Sequence, residues 1–209
     1  MMFRERGDRG ATLVEFALIV PLLLLLVFGI IEFGFLFNAD SNVNQSARAG
    51  GRTAAILSTD PQMGFKAAEA AANALGVDPA SITGTPTVCV GLFSPVNPNQ
   101  CTQEVTSVSL VHLGTPGSPV WTVVVGNNQP GVYPPTDGWP LDQRHFGCAQ
   151  NGQPGTFDKV VVHVSIKHRL IIPGMFSVFL GGTNTPTVSS TSVFQLEPVP
   201  STSCVLAGP

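Results

Sequence analysis

Residues 9–29 read RGATLVEFALIVPLLLLLVFG, and one residue in that run decides how the chain is understood. Glu15 puts a carboxylate near the start of an otherwise apolar helix. Inside a bilayer such a charge costs about 2.5–3.5 kcal/mol at the centre and less toward either end. Glu15 therefore either snorkels to the near interface, where a negative charge also suits a helix N-terminus, or is needed where it stands. Between Glu15 and Glu32 the chain is uncharged. Those sixteen residues span about 24 Å as a helix, short of the roughly 20 residues that a hydrocarbon core of about 30 Å requires. One glutamate, or both, must then lie at an interface or inside. Glu32 follows Glu15 by seventeen residues, which places it about 100° round the helix. The two do not share a face, and Glu32 is expected at the outer interface. Pro21 removes one ladder bond, which a transmembrane helix tolerates.

The flanks orient this helix. Arg4, Arg6 and Arg9 precede it, and positive residues beside a first helix stay inside. The N-terminus is therefore expected in the cytoplasm and the chain after about residue 40 outside. The apolar run exceeds the 7–15 residues of a cleaved signal peptide. Phe37-Asn38-Ala39 also sets a bulky residue where a small one belongs. The expected organisation is a basic leader over 1–10, a transmembrane helix over 11–37, its extension over 38–57, and an extracytoplasmic domain over 58–209.

The short basic leader ending in Gly10, the Glu at the fifth position after it and the long apolar helix resemble the type IV prepilin pattern. The Glu15-Phe16 pair, the Pro21 break, the IIEFG end and the later QSARAGGRTAA are more specifically similar to the TadE-like family, pseudopilin-like proteins of the tight-adherence (Flp) pilus machinery. VVVHVSIKHRLIIPG and FQLEP are weaker echoes. The resemblance implies that a prepilin peptidase cuts between Gly10 and Ala11, making Glu15 the fifth mature residue. It further implies that this carboxylate meets the new amine of a neighbouring subunit, a pair strengthened by low dielectric. Implied partners are other pilin and pseudopilin subunits, platform proteins of the pilus and the membrane itself. The runner-up is an unprocessed single-pass envelope scaffold; a third class is an enzyme or adhesin on a membrane stalk.

The remaining 150 or so residues suffice for one domain with a core. The expected fold is α+β and pilin-like. It combines the long helix, a short second helix opened by Asp60 and Pro61 and ended by Gly76, and an antiparallel sheet of four or five strands. Phe65, Ala68, Ala72 and Leu75 mark one face of that second helix. Ala47, Gly51 and Ala55 form a small-residue stripe that should pack on the sheet. The adjacent Gly50-Gly51 suggests a bend. In DKVVVHVSIKHRLIIPG, Val160, Val162, Val164 and Ile166 alternate with His163, Ser165, Lys167 and Arg169, so the strand has one wet face. EVTSVSLVHL, PVWTVVVG and TVSSTSVFQLE are further strands. GNNQPGVYPPTDGWPLDQ reads as a long loop.

Four cysteines, Cys89, Cys101, Cys148 and Cys204, all follow the apolar run. Without a CxxC and in an oxidising compartment they predict disulfides. Cys89 and Cys101 bracket a local Pro/Asn loop, which leaves Cys148 for Cys204. The formal net charge of −3 and the lack of a basic patch with aromatics argue against nucleic acid. No nucleophile elbow, P-loop or HExxH occurs, so neither catalysis, a small-molecule substrate nor a cofactor is expected. His163 and His168 lie on opposite faces of their strand and cannot share a metal; all four histidines, including His112 and His145, read as surface or strand-edge residues. Asp137, Asp142 and His145 read as a solvated loop. Trp121, Tyr133 and Trp139 make either a recognition surface or a core beneath that loop.

Overall fold

The computed structural model describes residues 8–93, 103–113, 121–125, 129, 132–139, 144, 158–171 and 185–196. One helix, α1 (Asp8–Ile56), carries the apolar run and continues without a break through Pro21 and both glycines. A turn leads into α2 (Met63–Ala74), and a single 3₁₀ turn, Pro79–Ser81, precedes the sheet. Five strands follow: β1 (Thr87–Leu92), β2 (Gln103–His112), β3 (Trp121–Val124), β4 (Lys159–Lys167) and β5 (Thr187–Gln195). Their order is β3-β2-β1-β4-β5, and every neighbouring pair is antiparallel. The fold is therefore α+β with one long apolar helix, as expected.

β4 buries Val160, Val162, Val164 and Ile166, and their register partners on β5 are Phe194, Ser192, Ser190 and Val188. That face meets the two helices, because α1 and α2 bring Ala39, Val43, Ala47, Ala54, Ala68, Ala71 and Ala72 into the same core. β1 was not among the expected strands, yet it lies at the centre of the sheet. Its TVCVGL is a run of nearly unbroken burial, so it has no alternation to betray it. The ladder between β1 and β2 slips at Val90/Gly91, a bulge of the kind that raises local twist.

The small-residue stripe packs on the sheet, as its spacing suggests. The helix is uninterrupted at the glycine pair, and both glycines make close contacts. A Cβ on Gly50 would lie 2.8 Å from the Ala67 carbonyl oxygen and 3.0 Å from Val162 Cγ1; on Gly51 it would fall inside the Phe194 ring. Two backbones and a ring can approach this closely only where no side chain intervenes.

Candidate functional site

The N-terminal part of α1 is the first feature a functional reading must explain. None of residues 12–31 is buried. Leu13, Phe16, Leu18, Leu22, Leu26 and Ile30 are all at least 60% exposed, which no water-facing helix sustains. From 10 to 31 the helix covers about 33 Å, so it is long and apolar enough to cross a bilayer. Gly10 stands in the first turns with open space around its Cα. Glu15 lies on the exposed surface, so nothing within the described fold accounts for its charge.

Glu32 differs. Expected at the outer interface, it is covered by the protein itself to 3% exposure. The Ile171 backbone N–H donates to Glu32 Oε2 at 3.1 Å, and His168 Nε2 lies 3.6 Å from Oε1. His168 was expected on the surface and is instead 3% exposed. The chain leaving β4 therefore clasps α1 on one side at Glu32, while Phe33, Phe35 and Phe37 stay exposed. His163, on the opposite face, is half-buried and shares a 2.8 Å hydrogen bond with Thr191 Oγ1. Its burial lowers its pKa from the ordinary 6.5.

The long loop contains a second junction. Arg144 is buried, and its side chain is fully enclosed with that of Asp137. Its guanidinium donates to the carbonyls of Ser58, Asp60 and Trp139 and to the Asp137 carboxylate at 2.7–3.3 Å. It also lies 5.0 Å from the centre of the Trp139 ring. Asp137 in turn accepts the Gly64 N–H at 2.7 Å and the Trp139 N–H at 3.0 Å. The N–H of Gly64 is one of the orphan donors of α2's first turn, so a distant loop residue caps this helix. Asp60, the expected cap, serves the preceding turn. It accepts the Gln62 N–H at 2.7 Å and pairs with Lys66. The Lys66 hydrogen bond is the main reason its pKa falls below 3.8.

Asp137 was expected in solvent and is instead half of a buried ion pair; Asp142 and His145 lie outside the described residues. The loop aromatics belong to the core alternative. Trp121 and Trp139 are buried, Trp121 Nε1 donates to the Val77 carbonyl at 3.0 Å, and Tyr133 stacks on Phe65 at 5.5 Å. Burial, with the Glu69 charge added, pushes the Tyr133 hydroxyl up to about 12. Sequence reading missed the Arg144–Asp137 pair. The available signal was that Asp137, Asp142 and Arg144 are the only fixed charges between 127 and 155.

Among the described residues no group of three or more His, Cys, Asp or Glu is placed to hold a metal ion. Cys89 is disulfide-bonded. Cys101, Cys148 and Cys204 lie outside the described residues, and the expected pairing with them.

Comparison with curated proteins returned no match, and neither did comparison with solved structures. The model of one protein family does match. It begins at Gly10, takes in Glu15, Phe16, Pro21 and the whole exposed stretch of α1, and ends at Arg52 where the helix lies on the sheet. That family is the TadE-like proteins, to which residues 10–52 of this chain are similar.

Proposed function

We propose that this protein is a minor pseudopilin of a tight-adherence (Flp) pilus system, anchored by α1 with the cysteine-containing domain outside the cytoplasm. A prepilin peptidase removes residues 1–10, and the mature chain starts at Ala11. The observation that carries this reading is the exposed Glu15 on a bare apolar helix, at the fifth position after the Gly10 at which the family match begins. The charge finds no partner among the described residues. A new amine at Ala11 of a neighbouring subunit, one helical turn from Glu15 of its own chain, would supply one. Because that amine exists only after cleavage, processing and assembly are linked.

On this reading the protein works by packing. Its partners are the prepilin peptidase, pilin and pseudopilin subunits and platform proteins. α1 runs unbroken from the bare stretch into the core, so helix docking in the membrane also positions the domain.

The test is the mature N-terminus. The chain is co-expressed with its cognate prepilin peptidase and the terminal peptide is read by mass spectrometry, alongside Gly10→Leu and Glu15→Ala. The expected terminus is Ala11, absent in Gly10→Leu. Glu15→Ala should be membrane-inserted yet fail to co-purify with its pilin partners. A wild-type leader left intact beside an active peptidase overturns the reading and leaves an unprocessed single-pass scaffold.

A further inference from the structure

Arg48 and Arg52 stand one turn apart on α1, both exposed. Neither has an ion-pair or hydrogen-bond partner among the described residues. They form one wall of a groove of about 400 Å³, whose other wall is Thr191–Phe194 of β5 and whose end is Asn44. The walls are tied together at two points. Ser190 Oγ donates to Asn44 Oδ1 at 2.6 Å, and the Phe194 ring lies directly against Gly51. The groove is thus cationic along α1, while β5 turns Ser192 and the Phe194 ring toward the helix; Thr191 and Val193 point to the other face of the sheet, where Thr191 meets His163.

We infer that this groove is a docking site for an extended acidic segment of a partner protein, one that carries carboxylates at alternate positions. The spacing supports it. Residues four apart on a helix are separated by about 6 Å along the axis, and residues two apart on an extended chain by about 6.6 Å. Carboxylates at i and i+2 of such a segment each meet one guanidinium, while the residue between them faces the β5 wall at Ser192 and Phe194. Two unpaired guanidiniums in fixed register suit carboxylate recognition better than lysines would.

Other anionic partners fit less well. Arg48 is eleven residues beyond Phe37, where the exposed apolar residues of the membrane stretch end, about 16 Å further along the helix. If α1 crosses the membrane as proposed above, that distance is about two Debye lengths from the headgroups at physiological salt. Two arginines on a chain of net charge −3 give too few phosphate contacts for nucleic acid.

The experiment uses the full chain in nanodiscs of zwitterionic lipid and a fluorescein-labelled peptide of four Val-Glu repeats, read by anisotropy. A Val-Lys peptide is the control. The expected result is saturable binding of the Val-Glu peptide only, weakened at least tenfold in Arg48→Gln/Arg52→Gln and partly restored in Arg48→Lys/Arg52→Lys. Ser192→Asp should also weaken it, from the opposite wall. Because both arginine side chains are exposed, the double variant should unfold at the wild-type temperature. Absence of Val-Glu binding, equal binding of both peptides, or binding indifferent to the double variant overturns the proposal. So does Arg-dependent binding to liposomes of anionic lipid that matches the peptide's affinity. Leader cleavage is read separately, so failure here is distinguishable from failure of the pseudopilin reading.

Discussion

Truncation of Arg144 to alanine removes the side chain that ties the long loop to the turn between α1 and α2. The guanidinium is wholly buried, and its acceptors are three carbonyls and one carboxylate. Removing one member of a buried pair costs about 3–5 kcal/mol, because the other is left charged and unpaired. Asp137 would keep its two backbone N–H donors from Gly64 and Trp139, which places the expected loss toward the lower end, about 3 kcal/mol. Arg144→Lys keeps the charge but not the fork. A single ammonium cannot reach the Ser58, Asp60 and Trp139 carbonyls together, so about 2 kcal/mol should still be lost. The double variant Asp137→Asn/Arg144→Met removes both charges and should be less damaged than the sum of its parts, with a coupling of about 1–3 kcal/mol. The assay is urea unfolding of the full chain in nonionic detergent, followed by tryptophan fluorescence. The chain has only two tryptophans, Trp121 and Trp139, and both are buried in the domain, so the signal ignores the apolar helix. An Arg144→Ala variant within about 0.5 kcal/mol of wild type, the usual scale of a surface change, would refute the reasoning. A double variant whose loss equals the sum would refute it too.

Three further outcomes are expected. Gly51→Ala drives a methyl into the Phe194 ring and should destabilise the fold by about 1–3 kcal/mol; in urea unfolding, Phe194→Ala should absorb most of that loss when combined with it. Glu32→Ala leaves the Ile171 N–H without its acceptor, at a cost of about 1–3 kcal/mol, so hydrogen exchange at Ile171 should accelerate about tenfold or more. Burial holds His163 below the ordinary 6.5, so between the two pKa values the unfolded chain binds the extra proton. Stability is then full above about pH 6.5 and falls as pH drops through that window. A His163→Asn variant should show a smaller decline in thermal midpoint between pH 7 and pH 5.

The parts of this fold that follow a period could be read from the sequence. Val160, Val162, Val164 and Ile166 alternate with polar residues, and β4 lies where that alternation runs. The Ala47, Gly51 and Ala55 spacing likewise pointed to a helix face that meets the sheet. β1 escaped because a strand covered on both faces has no wet side to alternate with. Gly50 and Gly51 were ambiguous, since a glycine pair marks a bend or a close approach equally well. Only the positions of Ala67, Val162 and Phe194 decide between them, and those are at least 16 residues away. The junctions were hidden for the same reason. Nothing near Asp137 in the chain announces that its partners include Gly64, 73 residues earlier, nor does Glu32 announce Ile171, 139 residues later.

Glu15 and Glu32 began as the same problem, a carboxylate at the margin of an apolar helix, and the structure divides them. They are seventeen residues and about 26 Å apart along one unbroken rod. At the upper one the protein itself covers the carboxylate and supplies the Ile171 N–H, with the His168 imidazole 3.6 Å away. At the lower one the described fold supplies nothing. A buried charge left without a partner is costly, while one given a partner by another subunit favours assembly. The contrast therefore makes Glu15, and not Glu32, the carboxylate through which a neighbouring chain would be felt. Moving the carboxylate by one residue, in a Glu15→Phe/Phe16→Glu variant, turns it about 100° round the helix while leaving charge and composition unchanged. On the pseudopilin reading that variant inserts and is cleaved, yet its recovery with pilin partners in detergent pull-downs falls to the level of Glu15→Ala. Recovery equal to wild type would mean that Glu15 acts through charge alone at the membrane margin, as an interfacial residue does.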